Sequence, residues 1–104
     1  IPNTVKINGK TYKVTSISNN VFKGCKKLKE VTIGTNVKKI GKKAFYNCKK
    51  LKKIIIKTTK LNSSNVGSNA FKGLSSKTII KVPKKKLKAY KKLFKKKGFS
   101  GKVK

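Results

Sequence analysis

Apolar positions recur at a fixed interval over the first part of the chain. Residues 37–59 repeat residues 14–36 with an offset of 23, and seven apolar positions coincide. The coinciding pairs are Val14 with Val37, Ile17 with Ile40, Phe22 with Phe45, Cys25 with Cys48, Leu28 with Leu51, Val31 with Ile54, and Ile33 with Ile56. A repeat of this length is typical of a solenoid, in which each unit is too small to bury its own apolar face and buries it against its neighbours.

A third, irregular unit follows the first two. Residues 69–74 match residues 43–48 with an offset of 26, and the three extra residues fit into the polar stretch 61–67, which predicts a lengthened loop. Ile80 and Val82 then fall where the second unit has its matching isoleucines.

Within each unit the pattern predicts one short strand. Residues 28–33 and 51–56 alternate apolar and polar positions as a strand with one buried face does, and copies of such a strand stack in parallel. Residues 14–17 and 37–40 predict a second short extended segment, and residues 44–48 allow about one helical turn. The predicted structural core comprises a stack of Phe22, Phe45 and Phe71 together with Cys25, Cys48, Leu28 and Leu51.

The two ends of the chain carry different patterns. Residues 5–14 alternate on both sides of Asn8-Gly9, which predicts a hairpin that covers the edge of the stack. After Pro83, the spacing of Leu87, Tyr90, Leu93 and Phe94 predicts a capping helix of three to four turns that ends before Gly98, with Phe99 folding back onto it. A helix lying on an anionic membrane is the alternative, and the narrow apolar stripe favours the cap.

These motifs resemble a known family. The run Ile40-Gly41-x-x-Ala44-Phe45-x-x-Cys48-x-x-Leu51-x-x-Ile54-x-Ile56 is similar to the leucine-rich repeat of the bacterial surface-protein class named after BspA, and the opening Ile1-Pro2-Asn3-Thr4-Val5 resembles its linker. The resemblance covers residues 14–83 well and the start loosely. Three positions depart from it: Ser18 stands in place of Gly41, Val21 in place of Ala44, and Leu74 in place of the cysteine.

Pattern and resemblance together predict an α/β leucine-rich-repeat solenoid with short parallel strands, an N-terminal hairpin and a C-terminal capping helix. We expect a single domain over 1–104, the C-terminal piece of a longer protein. Its parts are an entry hairpin at 1–13, repeats at 14–36, 37–59 and 60–83, and a helical cap at 84–104.

Charge changes the functional picture. The chain has 31 basic residues, all lysine, against the single acid Glu30, for a net charge of +30. Such a surface attracts polyanions, but the absence of arginine disfavours sequence-specific DNA reading, because arginine makes the commonest bidentate base contact. Nucleic acid, wall polymers, acidic glycans and anionic lipid remain open as unspecific partners. The alternative is a compositional bias in which lysine fills every solvated position.

Repetition turns lysine runs into ladders. Stacked units place Lys26 beside Lys49, Lys27 beside Lys50, and Lys29 beside Lys52. We call these six residues the lysine ladders, and we expect bound anions to stabilise them.

Catalytic chemistry is not supported by the residue types. The chain has no histidine, one acid and two cysteines, so neither an acid–base pair, a nucleophile–histidine pair nor a zinc site can be assembled. We therefore expect no enzyme activity, no cofactor and no metal. In-register cysteines lie about 5 Å apart, too far between Cβ atoms for a relaxed disulfide, which favours two buried thiols.

The remaining interpretation is that the chain is a binding module. The outward side of the parallel strands is the predicted ligand face, and we call it the strand face: Glu30, Thr32, Lys53, Ile55, Lys57, Ile79 and Lys81. The resemblance implies a secreted or cell-surface protein in adhesion to proteins or glycans. A structural spacer, retention on the anionic wall by charge, and unspecific nucleic-acid binding are alternatives. No apolar run approaches the ~18 residues of a membrane span, and nothing in the pattern indicates an oligomeric state.

Overall fold

The computed structural model describes residues 4–8, 10–13 and 16–104. Predictions that concern residues 1–3, Gly9 and Val14 lie outside this part of the chain. The elements are β1 (Thr4–Ile7), β2 (Lys10–Lys13), β3 (Ser16–Ile17), β4 (Glu30–Ile33), β5 (Lys39–Ile40), β6 (Lys53–Ile56), β7 (Ile79–Lys81), a 3-10 turn (Lys84–Lys86), α1 (Leu87–Lys96) and β8 (Lys102–Val103).

Parallel pairing between units is confirmed. β4 pairs with β6 so that Val31 lies opposite Ile54, and β6 pairs with β7 so that Ile54 lies opposite Ile80. The offsets are those at which the sequence repeats. Val31, Ile54 and Ile80 are fully buried, as one-sided alternation requires. The result is an α/β fold of stacked repeats.

The second extended segment forms a smaller parallel ladder. β3 pairs with β5, bringing Ile17 opposite Ile40, and an isolated bridge joins Ile40 to Val66 of the third unit. The segment predicted as about one helical turn consists of hydrogen-bonded turns instead. Its backbone binds the next unit: the Phe22 N–H donates to the Ala44 carbonyl at 3.0 Å, and the Phe45 N–H to the Ala70 carbonyl at 2.9 Å.

Glycine allows neighbouring units to approach closely. A Cβ on Gly41 would lie 2.5 Å from the Ser18 carbonyl carbon and 2.6 Å from Asn19 Oδ1 of the first unit. Gly67 meets the Lys42 backbone in the same manner. Ser18 is the equivalent residue of the first unit, and its side chain is exposed. This explains the departure from glycine there, since no other described unit lies against Ser18.

The three predicted phenylalanine rings are stacked. The ring centroids of Phe22 and Phe45 are 5.5 Å apart, and those of Phe45 and Phe71 are 5.6 Å apart, with nearly parallel planes. A fourth ring ends this column: Phe94 of α1 meets Phe71 edge-on at 4.9 Å. The edge-to-face geometry is one that aromatic pairs favour.

Two of the predicted core residues are not fully buried. Phe22 and Cys25 are half-buried and pack against the edge of the core, whereas their counterparts Phe45 and Cys48 are completely enclosed. Both belong to the first unit, which has another described unit on one side only. The prediction of two buried thiols is therefore wrong for Cys25.

The C-terminal cap contains more than the predicted helix. α1 ends in a motif that satisfies its last carbonyls: the Phe99 N–H donates to Phe94 at 2.9 Å, the Gly98 N–H donates to Lys95 at 3.2 Å, and Gly98 has a φ of 98°. Phe99 is buried, as predicted. The chain then returns to the sheet, where β8 pairs in parallel with β7. The prediction of a purely helical cap over 84–104 omitted this strand, because two residues are too few for a periodic pattern.

The N-terminal strands cover the opposite edge of the sheet. β1 pairs antiparallel with β2 and with β4, so the six-stranded sheet has the order β2-β1-β4-β6-β7-β8. Asn8 lies at the predicted turn with a φ of 50°, a conformation that asparagine tolerates better than most residues. The predicted hairpin is therefore present.

Candidate binding surfaces

The strand face consists of two rows of side chains. In the first row Glu30, Lys53 and Ile79 are register partners, and in the second row Thr32, Ile55 and Lys81 are. Lys57 follows β6, is exposed, and its N–H donates to the Ile33 carbonyl at 2.8 Å. The parallel register thus brings six of the seven predicted residues onto one side of β4, β6 and β7, and it adds Lys102 of β8 opposite Ile79.

The two isoleucines of the strand face are half-buried. Parallel strands lie about 4.8 Å apart, so neighbouring side chains in a row partly cover one another. Ile55 lies between Thr32 and Lys81, and Ile79 lies between Lys53 and Lys102. Each isoleucine therefore presents a small apolar surface flanked by polar or cationic residues.

The lysine ladders lie on a different part of each unit, just before the strands. All six side chains are exposed. The Lys52 N–H donates to the Lys29 carbonyl at 2.8 Å, so the two backbones are in direct contact. The third unit has Ser75 and Ser76 in the corresponding segment and a buried Thr78 beside Leu51, to whose carbonyl the Thr78 hydroxyl donates at 2.6 Å. Within these three units, each lysine ladder therefore consists of one lysine from the first unit and one from the second.

Asn8 joins the N-terminal turn to residues 27–30, the segment that contains Lys27 and Lys29 of the lysine ladders. Its side-chain N–H donates to the Lys27 carbonyl at 2.8 Å, and its Oδ1 accepts from the N–H groups of Lys29 at 2.8 Å and Glu30 at 3.0 Å. Its own N–H donates to the Glu30 carbonyl at 2.8 Å. Asn8, Lys26 and the three residues it binds line an open depression of about 560 Å³.

Tyr46 is a feature that the periodicity did not single out. Its half-buried ring lies beneath two ammonium groups, Lys43 Nζ at 5.3 Å and Lys23 Nζ at 5.9 Å from its centroid. The ring attracts both cations through its quadrupole. Tyr46 takes the place of Lys23 in its own unit, so a comparison of the two units could have indicated this contact.

The two cysteines are free thiols in different environments. Cys48 is fully buried and its Sγ donates to the Phe22 carbonyl at 3.0 Å. Burial, which disfavours the thiolate, raises the pKa of Cys48 to about 11. At neutral pH this thiol is protonated and acts as a small apolar residue.

A buried tyrosine joins the cap to the junction of the second and third units. The Tyr90 hydroxyl donates to the Thr58 carbonyl at 2.8 Å and accepts from the Leu61 N–H at 3.4 Å. Burial raises the pKa of Tyr90 above its ordinary value. These contacts fix α1 against the loop after β6.

Within residues 4–8, 10–13 and 16–104, no group of three or more histidine, cysteine or acidic residues is placed to hold a metal ion. In the same part of the chain, no helix has the length and apolar character needed to cross a bilayer.

Short parallel strands repeated at the period of the sequence, with turns that stack phenylalanines between them, define a leucine-rich-repeat protein. A family model described as "BspA type Leucine rich repeat region (6 copies)" matches residues 3–100. The chain belongs to this BspA-type family. No curated protein and no solved structure matches the chain.

Membership indicates a general role. Leucine-rich repeats of this type are generally non-enzymatic binding scaffolds, and the family indicates a protein-interaction module. BspA-type proteins are typically surface-associated in bacteria.

Proposed function

We propose that this chain is a leucine-rich-repeat binding module at a bacterial cell surface, and that its strand face binds a protein or an acidic glycan in adhesion. In this proposal residues 1–104 act as one domain. Its three repeats, at 14–36, 37–59 and 60–83, lie between the entry hairpin at 1–13 and the cap at 84–104.

The register of the strand face is the observation that carries the proposal. Ile55 and Ile79 lie diagonally from each other on the adjacent strands β6 and β7. Lys81 is the register partner of Ile55, and Lys53 is the register partner of Ile79. Apolar contacts flanked by ammonium groups suit a partner with an apolar centre and an anionic rim. Interfaces commonly have such an apolar core with a polar surround.

A binding array tests this proposal. The purified domain is screened at low and near-physiological salt against host matrix proteins, acidic glycans, wall polymers and nucleic acids. We expect a protein or glycan signal that persists at the higher salt and is lost in Ile55→Glu and Lys53→Glu. Val21→Glu and Lys38→Glu are the matched controls, because both side chains are exposed away from the strand face and undergo the same chemical change.

Two results would contradict the adhesive role. Equal losses in the control variants would show that the strand face is not the site. If all the binding signals fade together as the salt concentration rises, unspecific charge attraction alone explains the binding, as expected for a spacer.

The lysine ladders favour a second function, retention on a polyanion such as an anionic wall polymer. Two ammonium groups about 5 Å apart repel by roughly 0.8 kcal/mol in water before salt screening, and a bound polyanion relieves this repulsion. We expect the double variant Lys29→Glu/Lys52→Glu to weaken retention on a sulfated polymer more than Lys38→Glu/Lys91→Glu, which makes the same change elsewhere. Equal effects would mean that net charge alone is responsible, as it would be for unspecific nucleic-acid binding.

A further inference from the structure

A groove unrelated to the strand face runs along α1. It has a volume of about 680 Å³ and lies between the helix and the loop at residues 61–63. Its floor is formed by Leu61, Ala89, Tyr90 and Leu93, and its rim by Lys86, Lys92, Lys95 and Lys96, with Asn62 and Ser63 on the loop side. We call it the helix groove.

Packing explains why the helix groove has a stable shape. The Tyr90 hydroxyl donates to the Thr58 carbonyl of the second unit and accepts from the Leu61 N–H of the third. Leu61, Tyr90 and Leu93 are each at least nine-tenths buried, so these three floor residues belong to the core. Lys97 Nζ donates to the Ser63 carbonyl at 3.0 Å and joins the end of α1 to the loop. Ala89 is exposed, so its small side chain leaves the middle of the groove open.

Charge selects the kind of ligand. All the titratable side chains on the rim are lysines, and the one acidic side chain of the chain, Glu30, is on β4 rather than at this groove. A ligand must therefore offer apolar groups to the floor and anionic groups to the rim. A hydrophilic polyanion would satisfy the rim alone and leave the apolar floor uncovered.

The shape of the groove favours a helix over a lipid chain. α1 has ten residues and is about 15 Å long, so three or four side chains spaced i, i+3, i+4 and i+7 can lie along its groove. The groove is open along its length, so an acyl chain placed in it would keep one side in water. A helix covers the opening with its own backbone and places carboxylates above the rim.

We propose that the helix groove binds an acidic amphipathic helix of a partner protein. Ala89 and the exposed edges of Leu61 and Leu93 contact its apolar side chains above the buried Tyr90, and Lys86, Lys92, Lys95 and Lys96 pair with its carboxylates. This site is independent of the strand face and of any adhesive ligand bound there.

A synthetic peptide tests the proposal directly. The probe is a fluorescein-labelled peptide of about 18 residues, long enough for a helix to form, with leucines at i, i+3, i+4 and i+7 and glutamates on its other faces. Its control is a peptide of the same composition in scrambled order. Fluorescence anisotropy at near-physiological salt is expected to show binding at least about tenfold tighter for the ordered peptide.

Matched variants locate the peptide on the protein. Ala89→Glu fills the groove and lowers the net charge by one, and Lys88→Gln makes the same change of charge at an exposed neighbour that does not line the groove. We expect Ala89→Glu to weaken binding at least about tenfold and Lys88→Gln less than about twofold. Side-chain NMR shifts of Tyr90 and Leu93 in the unmodified protein provide a readout that requires no variant.

The alternatives give distinct results. Equal binding of the scrambled peptide, or full binding by Ala89→Glu, would overturn the proposal. It would also be overturned if anionic lipid vesicles shifted the Tyr90 and Leu93 signals while the peptide did not. Ile55→Glu on the strand face must leave peptide binding unchanged, which separates this test from that of the adhesive function.

Discussion

The Tyr90 hydroxyl and the Thr58 carbonyl, 32 positions apart in the chain, share a buried hydrogen bond of 2.8 Å. The same hydroxyl accepts from the Leu61 N–H at 3.4 Å, and Thr58 is fully buried. One side chain of α1 therefore satisfies two backbone groups of the loop after β6. An unsatisfied buried polar group is costly, so the loop conformation and the position of the cap depend on each other.

Tyr90→Phe tests this link. Removing the hydroxyl leaves the Thr58 carbonyl and the Leu61 N–H without a partner, and we expect a loss of about 1–3 kcal/mol in the free energy of unfolding. Urea denaturation followed by circular dichroism measures this loss. Tyr46→Phe is the control, because the Tyr46 ring is half-buried at the surface and should lose under about 0.5 kcal/mol. Equal losses would show that the buried hydroxyl has no special role.

Cys48 predicts a pH dependence of stability. Its pKa is about 11 in the folded chain against 9.0 for an unperturbed thiol, because burial penalises the thiolate. The contribution of this thiol to the free energy of unfolding is fully present below pH 9 and is lost as the pH rises toward 11, since the Cys48 thiol ionises first in the unfolded chain. Because of this group, the free energy of unfolding should fall by about 1 kcal/mol between pH 8 and pH 10.

Two variants isolate the contribution of the Cys48 thiol. Urea denaturation under reducing conditions should show a smaller loss of stability between pH 8 and pH 10 in Cys48→Ala than in the unmodified chain. Cys25→Ala, in which Cys48 is retained, should behave like the unmodified chain. If all three lose the same amount, ionisation of Cys48 is not coupled to unfolding.

Gly41 predicts a steric limit between the first and second units. In Gly41→Ala the added methyl would meet Asn19 and the Ser18 carbonyl carbon, and overpacking of this kind costs about 1–3 kcal/mol or more. Ser18→Ala changes the equivalent exposed position and should cost under about 0.5 kcal/mol. Thermal melting of the two variants compares them. A similar melting temperature for both would mean that the units can separate without penalty.

The contacts of Asn8 predict how much this residue contributes to the stability of the hairpin. Its side chain makes three hydrogen bonds to the segment 27–30, and its φ of 50° suits asparagine or glycine. Asn8→Gly keeps this conformation and should lose about 1–2 kcal/mol through the missing bonds, whereas Asn8→Ala should lose up to about 1 kcal/mol more. Urea denaturation of both variants measures the losses. Equal losses would show that the backbone conformation carries no cost.

Hydrogen exchange gives a local readout of the same contacts. Faster exchange of the amides of β4 that face β1, without a change in β6, is expected for both variants. Unchanged exchange in β4 would mean that the hairpin stays paired without the Asn8 side chain.

Much of the repeat architecture could be predicted from spacing alone. The offsets that align Val31 with Ile54, and Ile54 with Ile80, are also the strand registers, because a slip of one residue would turn every buried side chain outward. For the same reason the residues of the strand face could be named in advance. Their binding partner could not, since alternation determines which way a side chain points and not what it meets.

Other features escaped the pattern because they depend on contacts between distant segments. β8 has two residues, and the fourth ring of the aromatic column comes from α1, which has no repeat period. The half-burial of Phe22 and Cys25 reflects their place in the first unit, although their residue types match the buried Phe45 and Cys48. The helix groove is formed by two elements whose relative position no local pattern specifies.

The sequence by itself determined the length of the units, most of the buried positions and the register, because these follow from local alternation that repeats along the chain, and its composition determined the charge. Only the tertiary structure decided how the stack ends. Phe94 closes the aromatic column, Asn8 holds the hairpin, and Tyr90 joins the cap to the second and third units. These contacts satisfy apolar and polar groups that the repeats leave open at their ends, and they depend on chain geometry in three dimensions rather than on spacing along the chain.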